Sequence, residues 1–319
     1  KVTSFAKEID REPQNAAFQF VDGKVEEFRP GKDGLRVEQD RLVGSLVDGV
    51  MTLAENEEWV VGVSVERMKP AITTEDVNDL GIKELVGKGE STYFHSIPNR
   101  VHNVGLAAQR INGVLISPGE IFSFNQALGE VSAATGFKSA YVISGGRTVL
   151  GDGGGVCQVS TTLFRAALDV GLPIVERKAH AYRVGYYEQN YPVGIDATVY
   201  NPTADLKFKN DTPGYLLIQT VIDEEKRYLS FEIYGTDDGR VVKLTKPKVW
   251  GLSSPPPAIY QDDPSLPVGK VVQVDWAASG AKASFDYQVT KNGEVTFEKT
   301  FYSNYQPWRS VYLRGVKID

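Results

Sequence analysis

The hydrophobic period of the chain changes near Gly171, and this change limits the fold more than any other feature. Before it, residues 157–171 carry apolar side chains at helical spacing, and Gly171 ends the pattern. After it, short alternating segments bounded by Gly, Pro, Asn or Asp predict strands up to residue 235. The sequence therefore predicts an α+β fold in which one strong helix packs against a strand-rich remainder.

The length and the local composition predict several domains. A chain of 319 residues exceeds the size of about 250 to 300 residues at which single cores stop growing. We expect a small α+β domain at 1–90, a central mixed helix and strand domain at 91–240, and a small all-β module at 265–319. Residues 241–264 contain three consecutive prolines and predict a stiff, extended linker.

Individual elements can be assigned within these regions. The dipeptides Asp22-Gly23 and Asn292-Gly293 predict hairpin turns. Helices are predicted in the first domain and at the start of the central domain, and the first is followed by strand alternation over 57–70 and a short capped helix near 73–80. The predicted apolar stripes are Leu42, Leu46, Val50 and Leu53 in the first helix and Val101, Val104, Ala108 and Ile111 in the second.

Charge and hydropathy exclude several classes of partner. A net charge of −6 argues against nucleic acid. The sequence has no apolar run of about 18 residues, the length that a membrane span needs. Because the chain begins in a polar stretch, we expect any membrane attachment to come only from an N-terminal anchor that has been removed. The single cysteine excludes an internal disulfide framework.

That cysteine, Cys157, follows three glycines at the predicted start of the strongest helix. A thiol in this position meets the positive end of the helix dipole, which favours the thiolate. His180 and Asp196 follow along the chain, each in a predicted strand. A helix with Cys, a strand with His and a strand with Asp is the order found in papain-like and transglutaminase-like cysteine enzymes. We predict that Cys157, His180 and Asp196 converge as nucleophile, general base and orienting group.

Other residues are candidates for substrate binding around this cysteine. They are Gly154 and Gly155, whose N–H groups could help to hold an oxyanion, together with Gln158, Asn125, Gln126, His102 and Tyr182. The alternative interpretation is that Cys157 is a small core residue beneath a tight turn, since free cysteine is often buried. Three scattered histidines and one cysteine predict no metal site, and nothing in the sequence indicates a cofactor.

Four motifs resemble a known family. The segments "NRVHN", "PGEIFSFN", "GGGVCQVSTTL" and "DATV" are together similar to the VanW family, which is named after an accessory component of vancomycin-resistance gene sets. The first region resembles a peptidoglycan-binding domain that often precedes VanW domains. The last region resembles the G-five module, a small all-β unit of cell-surface proteins.

The resemblance implies an extracellular protein of a Gram-positive-type bacterium that is associated with the cell surface or cell wall, with peptidoglycan or another wall polymer as its partner. Combined with the cysteine arrangement, it suggests a cysteine-dependent acyl-transfer enzyme, such as an amidase, peptidase or transpeptidase, acting on wall peptides. The alternative is a non-catalytic wall-binding or scaffolding protein, with Tyr182, Tyr186, Tyr187, Tyr191 and Trp250 as aromatic platforms for sugars.

Overall fold

The chain divides into two compact units. The computed structural model describes residues 2–14, 16–29, 31–52, 60–70, 80–144 and 147–317. The first unit comprises residues 1–80 and 113–115, and the second comprises 81–112 and 116–319. Among the described residues, no helix is long and apolar enough to cross a membrane.

The first unit contains both helices and strands. Its elements are α1 (Val2–Ile9), β1 (Ala17–Val21), β2 (Lys24–Arg29), β3 (Gly34–Val37), α2 (Gln39–Thr52) and β4 (Val65–Met68). Strands β1 and β2 form the predicted hairpin, in which Asp22 and Gly23 both have positive φ. Strand β3 pairs with β4 in antiparallel fashion.

The apolar stripe predicted for α2 is only half correct. Leu42 is buried with Ala6 and Val37, and Leu46 packs against this cluster. Val50, by contrast, is 75% exposed, because the core of this unit lies against the first half of the helix. Leu53 and the short helix predicted near 73–80 lie largely outside the described residues. Of the strand alternation predicted over 57–70, residues 60–70 are described, and within them β4 is the one strand.

The central part of the second unit mixes helices and short strands. Its elements are β5 (Glu84–Thr92), α3 (Pro98–Ile111), β6 (Val114–Ile116, of which only Ile116 belongs to this unit), β7 (Ile121–Ser123), α4 (Phe124–Leu128), β8 (Ser139–Ser144), β9 (Arg147–Asp152), α5 (Val156–Val170), β10 (Ile174–Glu176), β11 (Lys207–Lys209), β12 (Leu216–Asp223) and β13 (Tyr228–Gly235). Both predicted helical stripes, on α3 and α5, are buried. Strand β5 was expected in the N-terminal domain for most of its length, but it pairs with β13, which pairs in turn with β12.

Helix α5 lies directly on β5, and two glycines permit this contact. A Cβ atom at Gly87 would lie 2.5 Å from Val170 Cγ2, and one at Gly89 would lie 2.4 Å from the backbone of Thr162 and Ala166. Without side chains at these positions, strand and helix backbones approach closely. As a result α5 is buried on almost every side, including its polar residues.

The C-terminal part is all-β, but it begins earlier than the sequence suggested. Its strands are β14 (Arg240–Leu244), β15 (Lys248–Ser253), β16 (Ile259–Pro267), β17 (Val271–Asp275), β18 (Gly280–Lys291), β19 (Glu294–Tyr305) and β20 (Val311–Lys317). Residues 241–264, predicted as a linker, are mostly in strands: β14 and β15 pair with β18, and β16 pairs with β20. The prolines at 255–257 occupy the gap between β15 and β16, where no ladder N–H is needed.

The end of α5 is fastened to this C-terminal sheet. Arg240 Nη1 donates to the carbonyl of Gly171 at 2.9 Å, and the hydroxyl of Tyr287 donates to the carbonyl of Leu172 at 3.0 Å. The ring of Phe301 packs edge-on against Phe164 with centroids 5.7 Å apart. Central and C-terminal parts therefore share a buried boundary around α5.

Candidate active site at the first turn of α5

Cys157 is the second residue of α5. Gly155 caps the helix with a φ of +115°, a conformation that residues with a side chain rarely adopt. The cysteine is partly exposed, and its Sγ lies 3.4 Å from Thr198 Oγ1 and 3.6 Å from the carbonyl oxygen of Val199. The core interpretation of this residue is wrong in one respect, since the rest of the first turn is buried but the cysteine is not fully so.

His180 and Asp196 form a close buried pair. His180 Nδ1 is 2.5 Å from Asp196 Oδ2, and the backbone N–H of His180 donates to the same oxygen at 2.8 Å. The two residues are only 6% and 4% exposed. Two contacts to one carboxylate oxygen fix the orientation of the imidazole ring. Because Nδ1 is engaged with Asp196, Nε2 is the ring nitrogen that is not bound to this carboxylate.

The second oxygen of Asp196 is also occupied. Arg177 Nη2 lies 3.0 Å from Oδ1, and the hydroxyl of Tyr305 donates to it at 2.5 Å. Tyr305 is the last residue of β19, so the C-terminal sheet contacts the candidate site directly. Although burial alone would raise the pKa of Asp196, hydrogen bonding to His180 and the charge of Arg177 hold it well below its usual range.

The segments around His180 and Asp196 are not the strands that the sequence predicted. They are irregular and are joined by a single antiparallel bridge between Lys178 and Thr198. Side chains replace the missing strand ladder. Arg177 donates to the carbonyls of Gly194 and Asp196, Arg165 to that of Ile195, and Ser160 and Thr161 to that of Ala197.

The polar run after the cysteine has a clear role in this arrangement. Thr161 Oγ1 also accepts a hydrogen bond from the N–H of Ala197 at 3.1 Å. Side chains of α5 therefore bind both the backbone N–H and the backbone carbonyl of Ala197. Ala197 lies between Asp196 and Thr198, the two residues that contact His180 and Cys157. The run "CQVSTT" therefore sets the position of the Asp196 segment relative to the thiol.

His180 and Cys157 are neighbours whose charges act on each other. Burial alone would raise the pKa of the Cys157 thiol, but His180 and Thr198 lower it to about 7. Burial would lower the pKa of His180, yet Asp196 and Cys157 raise it to about 10. Between these values the electrostatics favour a thiolate beside an imidazolium. His180 Nε2 has no hydrogen-bond partner in the described part of the chain.

Two family models match parts of this chain. The family model described as "VanW like protein" matches residues 99–234, and one described as "Putative peptidoglycan binding domain" matches residues 1–56. YoaR of Bacillus subtilis (strain 168) is 32% identical over 257 residues, which cover 77% of this chain and 78% of YoaR. The chain belongs to the VanW-like protein family.

The match to a second relative covers fewer residues. The vancomycin B-type resistance protein VanW of Enterococcus faecalis (strain ATCC 700802 / V583) is 37% identical over 130 residues, 40% of this chain and 47% of that protein. The chain thus matches about half of that relative. Together with the peptidoglycan-binding match, these findings describe a VanW-like, peptidoglycan-binding protein that is associated with the cell wall.

Two solved structures match a part of this chain. They are the G5 domain of IgA1 protease (16% identity, TM-score 0.16, 26% of this chain and 100% of that one) and HP0197-G5 (19% identity, TM-score 0.13, 24% and 99%). TM-scores this low carry no argument about function. The papain-like or transglutaminase-like arrangement is not confirmed.

The glycines of the VanW-like motif have a packing role. A Cβ atom at Gly154 would lie 2.7 Å from the carbonyl oxygen of Tyr141, and one at Gly155 would lie 2.9 Å from Val104 Cγ2. Asn103 Nδ2 also donates to the carbonyl of Gly154 at 3.1 Å. The glycines let the start of α5 approach β8 and α3, which accounts for them without any contact to substrate.

The other predicted binding residues are divided between the site and positions away from it. Tyr182 is beside Cys157 and stacks on Trp308 at 4.3 Å, and burial raises its pKa. Gln158 is fully buried and accepts from Arg100 Nη2 at 3.1 Å. The remaining three are held elsewhere: Asn125 by Asp205 and Ala204, Gln126 by Ser123 through its backbone, and His102 by the carbonyl of Gly136.

Three important residues escaped the sequence interpretation. Arg177 and Tyr305 both bind Asp196, and Arg100 lies beside Gln158. Arg100 stands in the motif "NRVHN" together with His102, so a charged residue in the first helical turn was the available signal. Tyr305 lies outside the range of the VanW-like match, and no local pattern links it to Asp196.

Proposed function

We propose that this VanW-like protein is a cysteine-dependent acyl-transfer enzyme that acts on amide bonds. The observation that carries the proposal is the buried His180–Asp196 pair. Its free ring nitrogen stands beside a partly exposed thiol whose pKa is about 7. These features support the roles of nucleophile, base and orienting group for Cys157, His180 and Asp196.

In the first step, the Cys157 thiolate attacks the amide carbonyl carbon. An S–C bond forms, the C–N bond breaks, and the His180 imidazolium gives its Nε2 proton to the departing amine. Asp196 keeps the imidazole oriented through Nδ1 and stabilises its positive charge. The product is a thioester on Cys157 and a free amine.

In the second step, water or an acceptor amine attacks the thioester. Its proton passes to His180 Nε2, the S–C bond breaks, and the thiolate is regenerated. The oxyanion of each step needs backbone donors. The N–H groups of Val156 and Gln158 already donate to Gly153 and Gly155, whereas that of Cys157 has no partner among the described residues, so we assign it this role.

The substrate class follows from the N-terminal match. A peptidoglycan-binding domain would hold the enzyme on the wall, where peptide amides are abundant. We therefore propose an extracellular protein whose substrates are wall peptides. Whether the acceptor is water or an amine decides between hydrolysis and transpeptidation.

Alkylation of Cys157 by iodoacetamide tests the proposal. The reaction rate should rise as the pH passes about 7, where the thiolate forms, and then level off. The variant His180→Ala removes the imidazolium, so burial raises the thiol pKa and labelling at neutral pH should fall about 10- to 100-fold.

His102→Ala is the matched control, because its ring contacts Gly136 and should leave labelling unchanged. Labelling no faster than that of free cysteine, or seen only after unfolding, would contradict the proposal.

The N-terminal match also favours a second candidate, a wall-binding or scaffolding protein without catalysis. Tyr186 and Trp250 are 42% and 43% exposed and could contact sugars. Sedimentation with purified peptidoglycan tests binding, using intact protein and the double variant Tyr186→Ala, Trp250→Ala. Binding that is unaffected by Cys157→Ala, together with an inert thiol, would favour this candidate.

A further inference from the structure

Arg100 is a cation beside Cys157 that has no carboxylate partner among the described residues. Its guanidinium donates to Ser96 Oγ at 2.7 Å, to Gln158 Oε1 at 3.1 Å and to the hydroxyl of Tyr186 at 3.4 Å. All three partners are neutral, and no ion pair of Arg100 occurs within the described ranges. A partly buried guanidinium without a carboxylate partner is unusual, because burying a charge is costly unless it is paired.

Other buried arginines of the chain have either a carboxylate partner or several backbone carbonyls as acceptors. Arg177 pairs with Asp196, and Arg240 pairs with Asp238 and Asp211. Arg165 lacks a carboxylate, but its N–H groups donate to three backbone carbonyls. The Nε–H of Arg100, in contrast, has no partner in the part of the chain that the structure describes, and its other contacts are to hydroxyl groups and one side-chain amide.

The first turn of α5 holds Arg100 next to the thiol. Gln158 directly follows Cys157, and its Nε2 donates to Ser91 Oγ at 2.7 Å, which turns Oε1 toward Arg100. On the other side, the absent side chain of Gly155 makes room for Arg100, since a Cβ there would lie 3.2 Å from Arg100 Cγ. The guanidinium is thus fixed by residues on both sides of Cys157.

Arg100 is surrounded by two tyrosines and by the Cys157 thiol. Its guanidinium lies 5.1 Å from the ring centroid of Tyr186. Burial opposes the charge, but Tyr186, Tyr187 and Cys157 raise the pKa of Arg100, so the guanidinium remains a cation. A planar cation with a free donor suits a carboxylate, which guanidinium groups bind in a defined orientation.

We propose that Arg100 binds a carboxylate of the substrate close to the scissile amide, so that Cys157 acts on peptides at or next to a carboxyl terminus. This inference rests on the proposed acyl transfer and narrows its substrate class. Arg100 is a specificity residue in this scheme. The hydrogen bond from its guanidinium to Gln158 explains why an amide side chain follows the cysteine.

Two alkylating reagents of similar size test this without knowledge of the natural substrate. Iodoacetate carries a carboxylate next to the reacting carbon, and iodoacetamide carries a neutral amide. The ratio of their rates at Cys157 should exceed that of a small reference thiol by about 10-fold, because the cation attracts the anionic reagent.

Arg100→Gln should lower this ratio by about 10-fold while the iodoacetamide rate stays within about 3-fold, and Arg100→Lys should keep part of the preference. Lys178→Gln is the control for general charge, because it removes an exposed cation from the bridge to Thr198. A ratio that is the same in wild type and Arg100→Gln would overturn the inference. Slow iodoacetamide labelling whose rate is the same in wild type and His180→Ala would instead overturn the acyl-transfer proposal.

A binding experiment tests carboxylate binding by Arg100 even if the thiol is inert. In Cys157→Ala protein, acetylglycine should shift the NMR signal of the Arg100 Nε–H, whereas acetylglycinamide at the same concentration should not. Equal responses to the acid and the amide, or none to either, would contradict carboxylate binding. Thermal unfolding of each variant confirms that the fold is intact.

Discussion

The segment 177–199 and the hairpin β18–β19 both contribute to the candidate site, but they are held together in opposite ways. The hairpin has a backbone ladder from Ala281–Tyr305 to Lys291–Glu294, with one register shift between Val289 and Thr290. The segment has one isolated bridge and a few other backbone hydrogen bonds, and buried side chains make many of its polar contacts. Regular pairing gives a rigid frame, whereas side-chain contacts can fix the individual atoms that a catalytic group requires.

The two regions meet at one face of β19. Phe301, Ser303 and Tyr305 alternate along the strand and are all buried, so they point to the same side. Arg177 lies over the ring of Phe301 at 6.0 Å, Ser303 accepts from Arg177, and Tyr305 donates to Asp196. The hairpin therefore supports the irregular segment through every second residue, and a change in either region tests the comparison.

The largest effect is expected for Arg177→Met. The change removes the guanidinium from the Asp196 carboxylate and takes a donor from three backbone carbonyls, those of Gly194, Asp196 and Tyr302. Breaking a buried ion pair from one side should lower the free energy of unfolding by about 3 to 5 kcal/mol, measured by urea denaturation. Arg183→Met is the control, because its pair with Glu188 is partly exposed and should cost about 1 kcal/mol or less. Equal losses in the two variants would contradict the role of Arg177.

A smaller effect is expected for Tyr305→Phe. The carboxylate of Asp196 loses one donor but keeps Arg177, and a hydrogen bond to a charged group contributes about 1.5 to 3 kcal/mol. Because Asp196 orients His180, the pH midpoint of Cys157 labelling should also move upward. Tyr302→Phe, on the exposed face of the same strand, should change neither quantity. A normal pH midpoint in Tyr305→Phe would show that the hairpin supports stability only.

The sequence could predict the hairpin but not the geometry of the segment. Asn292-Gly293 between alternating apolar residues specifies a turn and a register through local rules. The stretches around His180 and Asp196 show the same alternation, yet they form no strands, because Arg177, Arg165 and Thr161 take the place of a ladder. The order of Cys157, His180 and Asp196 along the chain predicts that they converge, whereas the contact of Tyr305 with Asp196 depends on distant packing that no local pattern records.

The paired hydroxyls of α5 should show a graded loss. Ser160→Ala removes one of two donors to the Ala197 carbonyl and should cost about 1 kcal/mol. Thr161→Val should cost more, about 1 to 3 kcal/mol, because the buried N–H of Ala197 also loses its acceptor. The double variant should exceed the sum, since the carbonyl then has no donor left. Additive losses, measured by urea denaturation, would mean that the two hydroxyls do not share this carbonyl.

The smallest effect is expected for Gly293→Ala in the hairpin turn. Gly293 has a φ of +83°, and a Cβ there would meet no atom within 4 Å, so the cost is the backbone strain of about 1 kcal/mol. Labelling of Cys157 should remain unchanged, because the ladder of β18 and β19 holds Tyr305 in place at the opposite end of the hairpin. A loss of labelling that accompanies this small loss of stability would show that the frame is not rigid. The difference between a self-supporting hairpin and a segment fixed by side chains would then no longer hold.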